Sequence, residues 1–368
     1  MGKMFKRIIP LRGLISIDQK LLYTQGISKE DVNRYIPEYI LSTRLLEVNF
    51  IYSLFLKILQ FFISLSIRLL LRPRKEEIGN LEKEEVDKVY NREAFTYDQK
   101  HHLTTRGQDT VWRRQAAHFV LNCVLNKPKG RALVLDLCTG TGLTIKEIVN
   151  VLSLWDAEVR MTGLDYNLEM LAIAKLNIDS CDRISVDFVR GDAVNMVGCS
   201  DASRDFAKFK PRSFDAITQV FGIGGISQPL KVFTEVLQLL KENGHFFLID
   251  VHRPILNLAG EWPFLGRWLS SSLLEVSIYE EVTIPLALNR LWAWRDTTAL
   301  FYLIRLIAVK DLKSNKYHGF RVLSFEYEPQ RWWLSLPIMP IAKIILQKIE
   351  LSEREAETRK QIRSACSF

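Results

Sequence analysis

The chain has 368 residues, 48% hydrophobic and 25% charged, which excludes a disordered or low-complexity protein and exceeds what one compact catalytic domain needs. Its five cysteines (Cys123, Cys138, Cys181, Cys199, Cys366) form no CxxC pair, which excludes a zinc ribbon or disulfide framework and fits a reducing, cytoplasmic setting. The net charge of +8 is uneven: residues 1–75 hold thirteen Lys/Arg against five Asp/Glu, and the rest of the chain holds 37 of each.

In chain order, Met1–Arg12 is basic but interrupted by Pro10 and Arg12, so a cleaved signal peptide is not expected. Lys6 stands where a myristoylation motif needs Ser or Thr after Gly2. Ser28 and Asp31 are spaced to cap a short helix. From Asn49 to Arg72, the polar residues Asn49, Ser53, Lys57, Gln60, Ser64 and Arg68 recur every three or four positions. On a helix they form a stripe about 100° wide, with Leu, Ile and Phe over the remaining arc. Arg68, Arg72, Arg74 and Lys75 crowd its end.

Three placements fit this segment. It lies in a membrane interface, it spans a bilayer as a single anchor, or it packs on the domain or on a second protomer of a homo-oligomer. Lys57 near the middle costs about 2.5–3.5 kcal/mol on insertion, which disfavours spanning. The expectation is therefore a peripheral or monotopic contact with a membrane through residues 45–75. Nucleic acid is not expected as a partner, because the basic residues are interleaved with aliphatic runs.

Residues 75–91 are charged and read as a solvated helical linker. The segment from Tyr97 to Trp112 follows, carrying His101, His102 and Arg106. Histidine titrates in the range useful for taking up a proton near neutral pH.

Next, Ala132–Leu137 is a short aliphatic run that predicts a buried strand. It leads through Asp136 and the Gly140-Thr141-Gly142 turn into a helix over Thr144–Leu152. Further strands are expected at Val159–Leu164, ending in Asp165, at Ser185–Arg190, ending in Gly191-Asp192-Ala193, and at Phe214–Val220, ending in Phe221-Gly222. An acidic residue at the second strand tip is placed to accept hydrogen bonds from ribose hydroxyls. Four tips carrying Gly, Asp, Asp and Gly make one nucleoside site. Cys199–Ser213 reads as a polar loop, Pro229–Lys241 as a helix, Asn243-Gly244 as a turn and Gly244–Val251 as a strand.

Beyond it, residues 253–317 are longer than one connection requires and hold Trp262, Phe264, Trp268, Trp292 and Trp294. They are expected either to roof an acceptor pocket or to enlarge the core. Tyr317–Leu336 reads as a hairpin turning near Glu328-Pro329, Ile338–Leu351 as an apolar helix after Trp332-Trp333, and Glu353–Lys360 as a solvated tail.

Taken together, these motifs resemble the class I S-adenosylmethionine-dependent methyltransferases, and among them the ubiquinone/menaquinone C-methyltransferase family. The resemblance covers about residues 90–255. It rests on Phe95-Thr96-Tyr97-Asp98 with Trp112-Arg113, VLDLCTGTG at 134–142, LDYNLEML at 164–171, RGDA at 190–193, FDAITQVFG at 214–222 and LLKENGHFFLIDVHRP at 239–254. It implies a Rossmann-like three-layer αβα fold with a seven-stranded, mostly parallel sheet over residues 86–337. An N-terminal extension, 1–85, and a C-terminal helix and charged tail, 338–368, flank it.

The resemblance also implies S-adenosylmethionine as cofactor. Asp136, Gly140, Thr141 and Gly142 would surround its methionine moiety, Asp165 its ribose, and Tyr166 or Met170 would flank the adenine, with Asp192 and Ala193 at the adenine edge. The acceptor implied is lipophilic, a quinone or prenylated phenol, with O- or N-methylation of another lipid and a catalytically silent cofactor-binding subunit as alternatives. Tyr97, His101, His102 and Gln219 are the candidate catalytic residues. The sequence departs from the family after Phe221-Gly222-Ile223, where Gly224-Gly225 replaces an Arg-Asn pair.

Overall fold

The structure is a computed structural model describing residues 16–17, 21, 24–35, 83–105, 107–127, 131–178, 183–198, 206–251, 298–311, 314–327 and 341–367. The apolar segment 49–72, Arg106, the tryptophan-rich stretch 252–297 and the hairpin tip with Trp332-Trp333 lie outside the described residues. Among the described residues, no helix is long and apolar enough to cross a membrane.

The chain begins with β1 (Ser16–Ile17) and α1 (Lys29–Tyr35), whose start carries the expected cap: Ser28 Oγ accepts from the Asp31 amide at 3.1 Å and donates to Asp31 Oδ2 at 2.8 Å. Two helices follow, α2 (Lys83–Thr105) and α3 (Gln108–Leu125). The alternating part then runs β2 (Arg131–Leu137), α4 (Leu143–Leu152), β3 (Glu158–Asp165), α5 (Leu168–Asn177), β4 (Ile184–Arg190) and β5 (Phe214–Val220). After it come α6 (Pro229–Leu239), β6 (Leu240–Val251), α7 (Thr298–Leu303), β7 (Ala308–Lys310) and β8 (Tyr317–Tyr327). The chain closes with β9 (Ile341–Leu351), α8 (Glu353–Ala365) and β10 (Cys366–Ser367).

Eight strands form one sheet in the order β4-β3-β2-β5-β6-β9-β8-β7, one more than the sequence predicts because the three residues of β7 add an edge. Pairing is parallel from β4 to β6 and antiparallel from β6 to β7. Successive residues of a strand point to opposite faces, and this divides the core in two. Val134, Ala216, Phe247 and Ile249 pack with Trp112 and Val120 of α3 and Ile145 and Ile148 of α4. Leu135, Ile217, Phe246 and Leu248 pack on the other side with Phe233 and Val236 of α6 and Phe301 of α7. This is the three-layer αβα arrangement the sequence predicts. A parallel sheet covered on both faces leaves its ligand crevice at the carboxyl ends of the strands.

Four local readings are corrected. Ile341–Leu351 is not a helix but a strand between β6 and β8. Its apolar residues fit either period, but four isoleucines in eleven positions favour the pleated state, and both neighbours supply hydrogen bonds. Glu353–Lys360 is not a solvated tail but most of α8, capped by Ser352 and held by Arg359, which is only 4% exposed and donates to the Phe320 carbonyl at 3.1 Å. The residues from Lys83 onward, expected as a linker, are the start of α2 and line the cavity described below. Asn243-Gly244 turns inside β6 rather than ahead of it: Asn243 takes φ 58°, and the pairing with β5 passes from Leu240 directly to His245.

Candidate active site

The turn after β2 is built from left-handed residues: Cys138 at φ 52°, Gly140 at 55° and Gly142 at 80°. A Cβ on Gly142 would sit 3.0 Å from the Ala174 Cβ, so α4 can start this close to α5 only with glycine there. Gly140 is different. The nearest atom to a Cβ on it would be the Cys138 carbonyl oxygen at 4.0 Å, so its backbone faces open space.

The turn is tied sideways to the tip of β3. The Thr139 amide donates to the Leu164 carbonyl at 3.1 Å, and the Gly140 amide donates to Asp165 Oδ2 at 2.8 Å. Asp165 Oδ1 accepts from the Asn167 amide at 2.9 Å, and burial pushes the carboxyl's pKa above its ordinary value against these bonds. Below the turn, Asp136 is 1% exposed and accepts the hydroxyls of Thr139 and Thr218, both at 2.7 Å. Burial still pushes its pKa up to about 6.

At the next tip, Arg190 Nε donates to the Tyr166 carbonyl at 3.1 Å, and its guanidinium lies over the Phe206 and Tyr166 rings at 4.8 and 5.5 Å. Tyr166 stacks on Phe206 at 5.3 Å, which fixes an aromatic wall beside Asp165. Asp192 forms an ion pair with Lys83 and accepts the Val194 amide at 3.1 Å.

Helix α2 closes the cavity from above. Lys83, Asp87, Tyr90, Tyr97 and His101, spaced in threes, fours and sevens, share one helical face and all line it. Asn167 fastens this helix to the β3 tip by donating to Asp87 Oδ1 and Asn91 Oδ1, each at 2.7 Å, while its own oxygen caps α5 at Met170. Thr141 donates to Asp98 Oδ1 at 2.6 Å, a second tie between α2 and the glycine turn. Tyr97 stacks on His101 at 5.7 Å and meets Tyr90 edge-on at 5.9 Å. Burial pushes both tyrosine hydroxyls above their ordinary pKa, so they are donors rather than bases. His101 meets Phe221 edge-on at 5.2 Å, and burial lowers its pKa, leaving a neutral imidazole.

The enclosed space is about 1140 Å³ including its mouth. Of the residues singled out from the sequence, Gly140, Thr141, Asp165, Tyr166, Met170, Asp192, Ala193, Tyr97 and His101 line it together. Asp136 and Gly142 support the floor without lining it. His102 is also not among the lining residues, and its side chain is 61% exposed. Gln219 is fully buried on β5 under the turn and does not reach the cavity, and neither of its amide atoms has a hydrogen-bond partner among the described residues. Sequence reasoning does not single out Lys83, Asp87 or Tyr90, and it meets Arg113 and Asn167 only as members of the matching motifs, with no role assigned. The seven-residue spacing of Tyr90 and Tyr97 is the available signal for the helical face. Among the described residues, no cluster of His, Cys, Asp and Glu is arranged to hold a metal ion.

The donor set suits S-adenosylmethionine. The half-buried carboxylates of Asp165 and Asp192 stand at two adjacent strand tips, an unobstructed glycine backbone lies beside them, and aromatic rings flank the space. Both Asp165 oxygens keep a lone pair beyond the amide each accepts, so ribose hydroxyls can add to the existing bonds.

Fold and site together match the Rossmann-like architecture of the class I S-adenosylmethionine-dependent methyltransferases. The chain belongs to the ubiE/COQ5 methyltransferase family, whose model matches residues 78–264, just over half of its length. It is 30% identical over 177 residues to a demethylmenaquinone methyltransferase of Thermotoga maritima, covering 48% of this chain and 66% of that protein. It is 28% identical over 174 residues to one of Porphyromonas gingivalis, covering 47% of this chain and 62% of that protein. These matches span less than two thirds of either relative. A demethylmenaquinone methyltransferase of Listeria welshimeri is 24% identical over 254 residues, covering 65% of this chain and 96% of that protein. Among solved structures, a Haemonchus contortus phosphoethanolamine N-methyltransferase aligns at a TM-score of 0.47 and 14% identity, covering 78% of this chain and 54% of that one.

Proposed function

We propose that this protein transfers a methyl group from S-adenosylmethionine to a lipophilic acceptor of the quinone or prenylated-phenol class at a membrane surface. One observation carries the reading: a single cavity joins a polar strand-tip floor at Gly140, Asp165 and Asp192 to an aromatic wall at Tyr90, Tyr97, His101 and Phe221. The floor suits a nucleoside and the wall a flat apolar ring. The bound donor supplies an electrophilic methyl on a sulfonium.

Asp165 would hold the ribose hydroxyls, Asp192 and Ala193 the adenine edge with Tyr166 and Met170 beside it, and Gly140 and Thr141 the methionine end. Asp136 would act from below, as a buried negative charge that two threonine hydroxyls keep oriented. Helix α2 aligns the acceptor and excludes water, which is most of what an in-line transfer asks of a protein. The matched relatives are named for demethylmenaquinone, and an acceptor of that kind fits the aromatic wall. Membrane contact is proposed through residues 45–75, on their wide apolar arc and basic end.

The test is to incubate the protein with methyl-labelled S-adenosylmethionine and vesicles carrying reduced demethylmenaquinone. Label should move into the lipid fraction, and the product's fragmentation should put the new methyl on ring carbon. Label on oxygen or nitrogen would favour the alternative acceptor classes, and donor binding without transfer to any membrane lipid would favour the silent-subunit reading. Pelleting with the vesicles, lost when residues 45–75 are deleted, would support the surface contact.

A further inference from the structure

We propose that Arg190 sets how strongly the site selects a donor that carries a purine base, by pinning Tyr166 as a fixed platform for that base with Phe206 behind it; this rests on the donor site proposed above. Strands β3 and β4 pair in parallel with Asp165 opposite Arg190, and the Gly191 amide donates to the Asp165 carbonyl at 2.8 Å. Tyr166 therefore leaves its strand one residue beyond Asp165, beside Arg190.

Three planar groups meet there. Tyr166 stacks on Phe206 with ring centroids 5.3 Å apart and 29° between the planes. The Arg190 guanidinium lies 4.8 Å from the Phe206 ring centre and 5.5 Å from that of Tyr166. Its Nε also donates to the Tyr166 carbonyl at 3.1 Å, so one side chain holds both the backbone and the ring of the tyrosine. Phe206 belongs to the stretch that the sequence predicts as a polar loop, and the Ala207 amide fastens it by donating to the Arg190 carbonyl at 2.7 Å. Tyr166 lines the cavity, whereas Arg190 and Phe206 do not, so the tyrosine stands between the cavity and that pair.

The ordinary use of a cation between two acidic strand tips is to neutralise them. Arg190 does not serve it. Among the described residues it forms no ion pair, while Asp192 takes Lys83 and Asp165 takes backbone amides. The guanidinium is spent on the two rings, which its planar, weakly hydrated shape suits and an ammonium does not.

A tyrosine at a strand tip otherwise samples several staggered rotamers, and a ligand that stacks on it must first immobilise it. Here the ring is held before the ligand arrives, so stacking of a flat base on the face away from Phe206 is realised as affinity. Stacking reads the π-face of a base and not its edge, which leaves the choice between bases to Asp192 and Ala193. Arg190 acts through Tyr166 and is a positioning residue.

The experiment is calorimetric titration of the full chain with S-adenosylhomocysteine and with S-ribosylhomocysteine, the same ligand without its base, the weaker of the two measured by displacement. The wild type is compared with Arg190→Leu, Arg190→Lys and Phe206→Leu, each checked for folding by circular dichroism. Arg190→Leu should weaken S-adenosylhomocysteine about tenfold and leave S-ribosylhomocysteine unchanged. Arg190→Lys keeps the charge without the planar fork and should show most of the same loss. Phe206→Leu should lose affinity in the same selective way, and combining it with Arg190→Leu should add little, because both act through one ring. Should Arg190→Leu fail to fold, the Lys and Phe206 variants decide by the same ratio of affinities. The inference is overturned if the folded variants weaken both ligands equally, the mark of a merely structural role, or weaken neither. A wild type that binds neither ligand would instead overturn the donor site itself.

Discussion

Asp136 shows how the site trades stability for charge. Its ordinary pKa is 3.8, and in the folded protein it is about 6, so the folded state holds this proton to higher pH than the unfolded chain does. Stability therefore falls as pH rises from about 4 to about 6 and stays lowered above that. A displacement of this size corresponds to on the order of 1–3 kcal/mol. Asp136→Asn should be more stable than the wild type at pH 7.5 by that order, with the advantage gone below pH 4, while donor affinity drops. Urea unfolding across this pH range, compared with calorimetry at pH 7.5, checks both halves. An unchanged pH dependence in the variant would contradict this view of Asp136.

Gln219 makes the opposite case, since its buried amide has no partner among the described residues and does not face the cavity. A buried unpaired polar group costs about 1–3 kcal/mol. Gln219→Met, close to it in volume, should stabilise the protein by that order and leave methyl transfer intact. Lower stability, or a lost rate, would mean that the amide reaches a partner on ligand binding. The strand-tip residues are legible in the sequence because each sits within a few positions of its own strand and turn. The roles of His101, His102 and Gln219 are not, because the faces they present depend on how α2, α3 and β5 pack.

Helix α2 is where local pattern and structure part most. Its first turn is charged enough to look like a linker, and its partner is 109 residues away, where Lys83 meets Asp192. No local pattern announces such a pairing. Asn167 fastens this helix, since one amide caps α5 and binds Asp87 and Asn91 of α2. Asn167→Ala removes the cap and both ties, at about 1 kcal/mol each. The expected loss is about 2–3 kcal/mol of stability, with faster hydrogen exchange confined to α2 and the start of α5 and weaker donor binding. Exchange unchanged in α2 would show that the helix is held by packing alone. The strand β9 is hard to read from sequence for a different reason: isoleucine-rich runs fit both periods, and neighbouring strands decide between them.

At the scale of the whole molecule, the sheet explains why one chain end supports the other. β1 pairs with β10, and α1 buries Val32 and Tyr35 against Ile362 of α8, while Arg359 of that helix lies over the Tyr35 ring at 5.1 Å. None of the α1 or α8 residues lines the cavity. The position of the crevice follows from the strand–turn–helix pattern, and the αβα architecture is what the resemblance carried by those motifs implies. The closing antiparallel strands and the terminal clasp do not, because they join segments far apart in the chain. The central claim is that the carboxyl ends of the parallel strands bind the methyl donor. The direct measurement is calorimetric titration of S-adenosylmethionine into the wild-type protein and into Asp165→Ala, with both folded by circular dichroism. The account predicts saturable one-to-one binding in the wild type, weakened at least tenfold in the variant, a change of about 1.4 kcal/mol or more. No binding by the folded wild type, or equal affinity in Asp165→Ala, would contradict it.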